Sequence, residues 1–305
     1  MIKVSNISKS FDDFKALDNI SCGIPKGCIY GMVGSNGAGK STFLRLLSGV
    51  YRPDNGTILI DGKNVWNNPS VKENVSYTPD DFYFQSGWSM NRMAKLYSAT
   101  YSKFDMERFN YLVKSFDLNP QKSLNTFSKG MKRQVAIILS LCCHSDYMFF
   151  DETFDGLDPV MRSLIKSLIC EEVIENKATA IITSHSLREL EDTCDQLSLL
   201  HKGGLVFESD ISKLKTSLFK IQIAFTTEYT KDIFNDIEML HYSKIGSVSN
   251  MIVRGDKTAI VARLKTMNPV LLDVLPLSLE EVFTYEMEAL GYSFENVAGG
   301  GYENE

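Results

Sequence analysis

The sequence predicts an α/β fold built on a parallel sheet, and three observations predict it. A glycine-rich run, Gly34-Ser35-Asn36-Gly37-Ala38-Gly39-Lys40-Ser41-Thr42, lies between a short apolar stretch and an amphipathic one. A second apolar stretch, Tyr147-Met148-Phe149-Phe150, ends on two adjacent carboxylates, Asp151 and Glu152. From there to residue 201 strand and helix patterns alternate, as they do where crossover helices join parallel strands.

Each element has its own signal. Residues 1–30 alternate apolar and polar with turn breaks at Asp12-Asp13 and Pro25-Lys26-Gly27, which predicts antiparallel strands. Residues 28–33 read as a buried strand and residues 42–47 open a helix, so the glycine-rich run occupies a strand-to-helix turn. Pro53-Asp54-Asn55-Gly56 is a turn into a strand at 57–60, and 75–78 is a short strand stopped by Pro79. From about 85 to 145 the period becomes helical, with Met90, Met93, Ala94, Leu96 and Tyr97 on one face and Phe109, Leu112, Val113 and Phe116 on another. These Met and Tyr stripes read as core packing. Strands return at 147–150, 178–183 and 197–201. Residues 1–214 therefore read as one domain containing an antiparallel β subdomain and a helical subdomain at about 85–145. Residues 215–290 form a small C-terminal α+β appendage, with strands at 220–225, 251–254 and 270–275 and a helix at 256–267. Residues 291–305, closing on Gly299-Gly300-Gly301-Tyr302-Glu303-Asn304-Glu305, are expected to be a disordered tail.

Composition bounds the function. With 44% apolar and 23% charged residues, the 305-residue chain is of ordinary globular type. A net charge of −6 gives no reason to expect nucleic acid as a partner. The six cysteines are scattered without a C-x-x-C pair, which predicts buried thiols in a reducing cytosol. Met1-Ile2-Lys3-Val4-Ser5-Asn6 has no signal-peptide core and reads as a strand. The longest apolar stretch, 135–143, is about nine residues against the ~20 that span a bilayer. A membrane role would need another chain to carry the span.

The glycine-rich run fits G-x-x-x-x-G-K-[ST] at every fixed position, and each residue type has a physical reason. Glycines let the backbone curl so that successive N–H groups point inward at the positive end of the following helix. Lys40 can reach the β- and γ-phosphates of a nucleoside triphosphate, and the Ser41 hydroxyl can ligate Mg2+. At the C-terminal end of strand 147–150, Asp151 can hold Mg2+ directly or through water. Glu152 can orient and deprotonate a water beside the γ-phosphate. A third run, Asn125-Thr126-Phe127-Ser128-Lys129-Gly130-Met131-Lys132-Arg133-Gln134, precedes an apolar helix that Ser128 is placed to cap. His185 alone would read as an ordinary histidine; its place after the strand Ile181-Ile182-Thr183 makes it a site candidate.

The order of phosphate loop, Phe-Ser-Lys-Gly-Met, Asp-Glu, Gly156-Leu157-Asp158 and Ser184-His185 resembles the ABC transporter ATP-binding subunit over roughly residues 2–215. The resemblance implies the P-loop NTPase fold of ABC ATPases, with ATP and Mg2+ as cofactors. It implies that Phe11 stacks on adenine, with Phe14 as a second candidate. Ser128 and Gly130 correspond to the signature loop, which in the family contacts the γ-phosphate held by the opposite subunit of a head-to-tail dimer. Asp158 matches the loop that couples the two sites, and His185 the switch histidine at the γ-phosphate.

Three departures from the family pattern are visible. Lys129 and Met131 replace a glycine and a glutamine of the signature. The position usually held by a glutamine that meets Mg2+ or water is Asp80, with Gln85 a substitute if the loop is remodelled. Glu152 is followed by Thr153-Phe154 where many relatives have Pro-Thr or Pro-Ser.

The segment Pro276-Leu277-Ser278-Leu279-Glu280-Glu281-Val282-Phe283 resembles the tail of ABC-2-type exporter ATPases. The aromatic stretch 82–90 is similar to a Gram-positive subgroup, some of whose members expel amphipathic peptides or antimicrobials. This implies an ATPase at the cytoplasmic face of the cell membrane, bound to a multi-span permease and paired with a second ATP-binding subunit. Trp88 and its aromatic neighbours are either permease contacts or helical core. The alternatives are a non-transport ABC ATPase acting on a ribosome or DNA, and a kinase using the same loop.

Overall fold

The computed structural model describes residues 1–289; the expected tail at 291–305 lies outside the described residues. The chain divides into two compact units, Met1–Glu208 and a second beginning at Ser209.

In the first unit, β1 (Ile2–Phe11) and β2 (Phe14–Ile24) form an antiparallel hairpin that pairs Phe11 with Phe14 across the Asp12-Asp13 turn. β3 (Ile29–Val33) is buried at every position and feeds the glycine-rich loop and α1 (Lys40–Leu47). β4 (Asn55–Ile60) and β5 (Lys63–Asn64) complete a four-stranded sheet of order β2-β1-β4-β5. After α2 (Pro69–Lys72) and β6 (Val75–Thr78), the helical segment contains α3 (Met90–Thr100), α4 (Met106–Ser115) and α5 (Lys129–Leu141). The chain then returns to the sheet through β7 (Tyr147–Phe150), α6 (Pro159–Asn176), β8 (Thr179–Ser184), α7 (Leu187–Glu191), β9 (Gln196–His201) and β10 (Gly204–Asp210).

The larger sheet has the order β10-β9-β3-β8-β7-β6, with parallel pairs β9/β3, β3/β8, β8/β7 and β7/β6. β7 and β8 are buried at every residue, as expected of strands covered on both faces; β7 reads as an unbroken apolar run, and β8 as an Ala-Ile-Ile centre flanked by buried threonines and a serine. Tyr30, Phe43, Leu47, Phe149 and Ile181 belong to the core that joins the two sheets to α1. A fully buried carboxylate, Glu172 on α6, is ion-paired with Arg108 on α4, which ties the helical segment to the sheet's covering helices. Such a pair is costly to break from one side because the remaining charge stays buried. The described cysteines are free; burial pushes Cys22 and Cys142 up to about 12, so these thiols are poor nucleophiles at neutral pH.

The second unit contains α8 (Ile211–Ser217) and a four-stranded antiparallel sheet of β11 (Leu218–Ala224), β12 (Met239–Ile245), β13 (Val248–Arg254) and β14 (Leu271–Leu275), ordered β12-β13-β11-β14. α9 (Lys257–Lys265) packs Leu264 with Phe219, Ile221, Phe234 and Met251 on one face, and α10 (Leu279–Ala289) follows β14. The sequence predicts three of these strands. β12 is the one it does not signal: an edge strand reading MLHYSKI, with no residue fully buried and no alternation to detect.

Ile181 is fully buried in β8, between β3 and β7. Ile181→Ala should lower the unfolding free energy by about 2–5 kcal/mol, read from the urea midpoint of the nucleotide-free chain. A loss below ~0.5 kcal/mol would mean that the parallel core is not packed as described.

Candidate functional site

Strand order builds the site. β3, β8, β7 and β6 lie side by side and point the same way. Their C-terminal ends therefore deliver, in a row, the glycine-rich loop, His185, the Asp151–Glu152 pair and Asp80. A cavity of about 240 Å3 opens there, lined by residues 36–42 together with Phe14, Ala16, Asp80 and Glu152.

The loop is held in a left-handed curl that glycine allows. Gly37 has φ +78° and Gly39 has φ +107°. A Cβ at Gly39 would come within 2.6 Å of the Ala16 carbonyl, whereas one at Gly37 would meet nothing within 4 Å. α1 begins at Gly39 with no side-chain cap and no acid in its first turn. By contrast, Ser89, Asp105, Ser128, Asp158 and Asp256 all cap the helices that follow them. The first amides of α1 thus lack the side-chain acceptor that those five helices carry, as do those of the short helices α2, α7 and α8, and in a glycine-rich loop this is an arrangement a phosphate completes.

Lys40 is 5% exposed and folded back over this loop. Its Nζ donates to the carbonyls of Gly34 at 2.6 Å and Ser35 at 3.1 Å. It also pairs with Glu152 Oε1 at 3.0 Å. The other oxygen of Glu152 lies 2.9 Å from His185 Nδ1 and accepts from the His185 N–H at 3.3 Å. Glu152 has φ +46°, and its N–H donates to Thr183 Oγ1 at 3.1 Å. Lysine, glutamate and histidine, distant in sequence, are therefore in direct contact.

Asp151 is fully buried beside them. The Thr183 hydroxyl donates to it at 2.8 Å and the Tyr77 hydroxyl at 3.3 Å. Burial raises its pKa above the ordinary carboxylate value and the neighbouring Glu152 charge adds to this, against the pull of hydrogen bonds from Ser41 and Thr183 and of the Arg45 charge. The donors here are a hydroxyl and a carboxylate, both hard oxygens, which suits Mg2+. Among the described residues no group of three His, Cys, Asp or Glu side chains forms a metal cluster. Mg2+ in phosphate sites takes only one or two protein oxygens, the phosphates supplying others.

The remaining sequence candidates divide between this cavity and other parts of the fold. Phe11 packs edge-on against Tyr51 at 5.3 Å, while Phe14, its cross-strand partner, lines the cavity. Asp80 also lines the cavity, but its carboxylate is ion-paired with Arg133. Gln85 is exposed and outside the cavity lining. Ser128 caps α5, accepting from the Met131 N–H at 3.2 Å, and Asp158 caps α6, accepting from Val160 and Met161 at 3.0 Å. Gly130 lies against the Gly156 carbonyl, which a Cβ there would approach to 3.3 Å. Ser128, Gly130 and Asp158 do not line this chain's own cavity. Trp88 is half-buried, with the Arg92 guanidinium 4.4 Å from its ring centre.

Sequence reasoning missed Thr183, Tyr77 and Arg133. A threonine or tyrosine in a strand is unremarkable until the neighbouring strand is known. Arg133 carries a weak signal, a charged residue four before Ile137 on an apolar helix face, which reads as solvent-facing until burial is seen.

The family described as ABC transporter matches residues 17–155. The ABC transporter ATP-binding protein YtrB of Bacillus subtilis is 32% identical over 284 residues, 93% of this chain and 97% of that protein. The bacitracin transport ATP-binding protein BcrA of Enterococcus faecalis is 31% identical over 219 residues, 70% of each chain. Among solved structures, an ATP-binding subunit of an ABC transporter superposes with TM-score 0.65 at 23% identity, over 70% of this chain and 92% of that one. The dimeric structure of MJ0796, a bacterial ABC transporter cassette, gives 0.64 at 20% identity, over 69% and 99%. These superpositions establish likeness of fold.

Gly39→Ala should lower the thermal midpoint of the nucleotide-free chain more than Gly37→Ala, because only the first adds a backbone clash to the left-handed strain. Equal shifts for the two variants would show that the close approach of Gly39 to Ala16 is absent.

Proposed function

The chain belongs to the family of ABC transporter ATP-binding proteins, and from that premise we propose that it drives an exporter whose permease is a separate polypeptide. As a member of that family it is an ATPase. The observation that carries the chemistry is the contact between Lys40, Glu152 and His185 at the mouth of the glycine-rich loop.

The residues fit ATP and Mg2+. The uncapped amides of α1 and Lys40 would hold the phosphates, with Ser41 and Asp151 holding Mg2+, and Asp80 within reach of the same cavity. Bound Mg2+ supplies positive charge to the phosphate oxygens as negative charge redistributes during transfer. Lys40 leaves Glu152 for the phosphates, so its cationic charge passes from a carboxylate to the reacting group. Glu152 Oε1, thereby released, accepts a proton from a water and so acts as general base. His185 faces Glu152 Oε2 and orients it, while its other ring edge is free to meet the γ-phosphate. Phe14 or Phe11, at the hairpin turn, would stack on adenine.

Ser128, Gly130 and Asp158 lie outside this chain's own cavity, so we assign them to the nucleotide of a second ATP-binding subunit, a copy or a relative, in a head-to-tail pair. The relative MJ0796 was solved as a dimer, which supports this reading. Among the described residues no helix is long and apolar enough to cross a membrane. The membrane-spanning part is then the permease, and this chain sits at its cytoplasmic face. Relatives named for bacitracin, lantibiotic and daunorubicin/doxorubicin handling favour an exporter of amphipathic peptides or antimicrobials over action on a ribosome or DNA. Nucleic acid is not an expected partner.

Glu152→Gln should lower kcat by roughly 100- to 10,000-fold while ATP still binds, as measured by steady-state phosphate release and equilibrium binding on the same preparation. Wild-type turnover in this variant would remove Glu152 from the base role. For the export role, the ATPase rate should rise when the chain is assembled in membranes with the permease encoded beside its gene and an amphipathic peptide is added. A rate indifferent to both would refute an export motor for such cargo and leave the ATPase.

A further inference from the structure

One buried charge takes no part in phosphate chemistry. Arg133 on α5 is 1% exposed, yet a guanidinium presents five N–H donors that must be answered in the interior. Two segments distant in sequence answer it at both terminal nitrogens, leaving Nε–H without a partner. Nη2 donates to the Asp80 carboxylate and lies 3.4 Å from the Asp80 carbonyl. Nη1 donates to the Asp155 carbonyl and lies 3.5 Å from the Asp155 carboxylate. The guanidinium also stands 5.7 Å from the centre of the Phe82 ring. One turn earlier on α5, Lys129 Nζ reaches the same Asp155 carboxylate at 3.7 Å.

We propose that Arg133 is a positioning residue that locks Asp80, at the phosphate cavity, and the turn after Glu152 to the helix that begins at Ser128, so that the three shift together. The proposal rests on the ATPase reading and adds a part to it. Asp80 stands two residues past Thr78, whose carbonyl accepts from the Asp151 N–H at 2.9 Å. Asp155 stands three past Glu152, whose carbonyl its N–H reaches at 3.2 Å. Arg133 therefore grips both segments that carry the site's carboxylates. Its own end is buried while the Asp80 end is 44% exposed, so Asp80 is the end that can let go. Moving Asp80 toward a water or cation in the cavity weakens the grip on a guanidinium that cannot be hydrated in place, and α5 must follow. Only a planar fork serves two acceptors in different directions; an ammonium at this position would keep the charge and lose the bridge.

The test uses the full chain carrying Arg133→Lys, Arg133→Gln, Asp80→Asn, or Asp80→Asn with Arg133→Gln. Each Arg133 variant and Asp80→Asn should lower kcat by roughly 10- to 100-fold, with the KM for ATP within about threefold of wild type. The double variant should lose no more than the worse single, since both break one link. In the nucleotide-free chain, amide hydrogen exchange should rise at 78–84 and at 153–157 in Arg133→Gln, but at 78–84 alone in Asp80→Asn. Losses that multiply in the double variant, or a change confined to KM, would overturn the link. If wild type binds ATP without turnover, the ATPase reading fails and exchange decides alone: unchanged exchange in Arg133→Gln refutes the link, a rise at both segments sustains it. Should Arg133→Gln not fold, Arg133→Lys carries the same comparison with the charge kept.

Discussion

In a parallel sheet, neighbouring strands end on the same edge, about 4.8 Å apart, so whatever follows each strand is brought together without any loop having to reach. Here β3, β8, β7 and β6 end in that way. The phosphate loop, His185, the two carboxylates and Asp80 arrive at one edge because of hydrogen bonding in the sheet rather than contacts of their own. The remainder of the first unit serves this alignment. Fully buried apolar strands fix the register, and the hairpin of β1 and β2 brings Phe14 and Ala16 over the loop. A one-residue slip would turn every side chain to the opposite face.

The interior charges follow from the same geometry. Asp151 is driven into the sheet by the strand that delivers it, and its negative charge is tolerated through Thr183 and Tyr77 on flanking strands. Arg133 is tolerated because Asp80 and Asp155 close over it. Each of these groups is answered by atoms from at least one other element, so burial makes the site cooperative: an adjustment at one carboxylate is felt by its neighbours through hydrogen bonds rather than through water.

This division explains what the sequence discloses. The glycine loop, the Asp151–Glu152 pair and the Ser128 cap are legible because their chemistry lies in adjacent residues and local backbone geometry. The strand at 147–150 is legible because full burial leaves an unbroken apolar run, and that at 179–184 because its centre, Ala180-Ile181-Ile182, is apolar and its flanks include β-branched threonine. Arg133, Thr183 and Tyr77 are not, since their partners are set by strand order and helix docking. The sequence reading favours Phe11 over Phe14; the hairpin's approach to the loop instead brings Phe14 to the cavity and Phe11 to Tyr51. In the second unit, the half-buried edge strand β12 escapes for want of a period.

The Lys40–Glu152 pair has a further bearing on affinity. Glu152 is a tethered anion held where an incoming phosphate must go, at an effective concentration fixed by the fold. What a nucleotide gains on binding is therefore only the excess of its phosphates over an internal rival. In the proposed mechanism, the same displacement that seats the ligand would set the rival free to act on water. On that mechanism, tightness of binding and readiness for hydrolysis would be two readings of one exchange of counter-ions, with the resting Glu152 held by its own lysine.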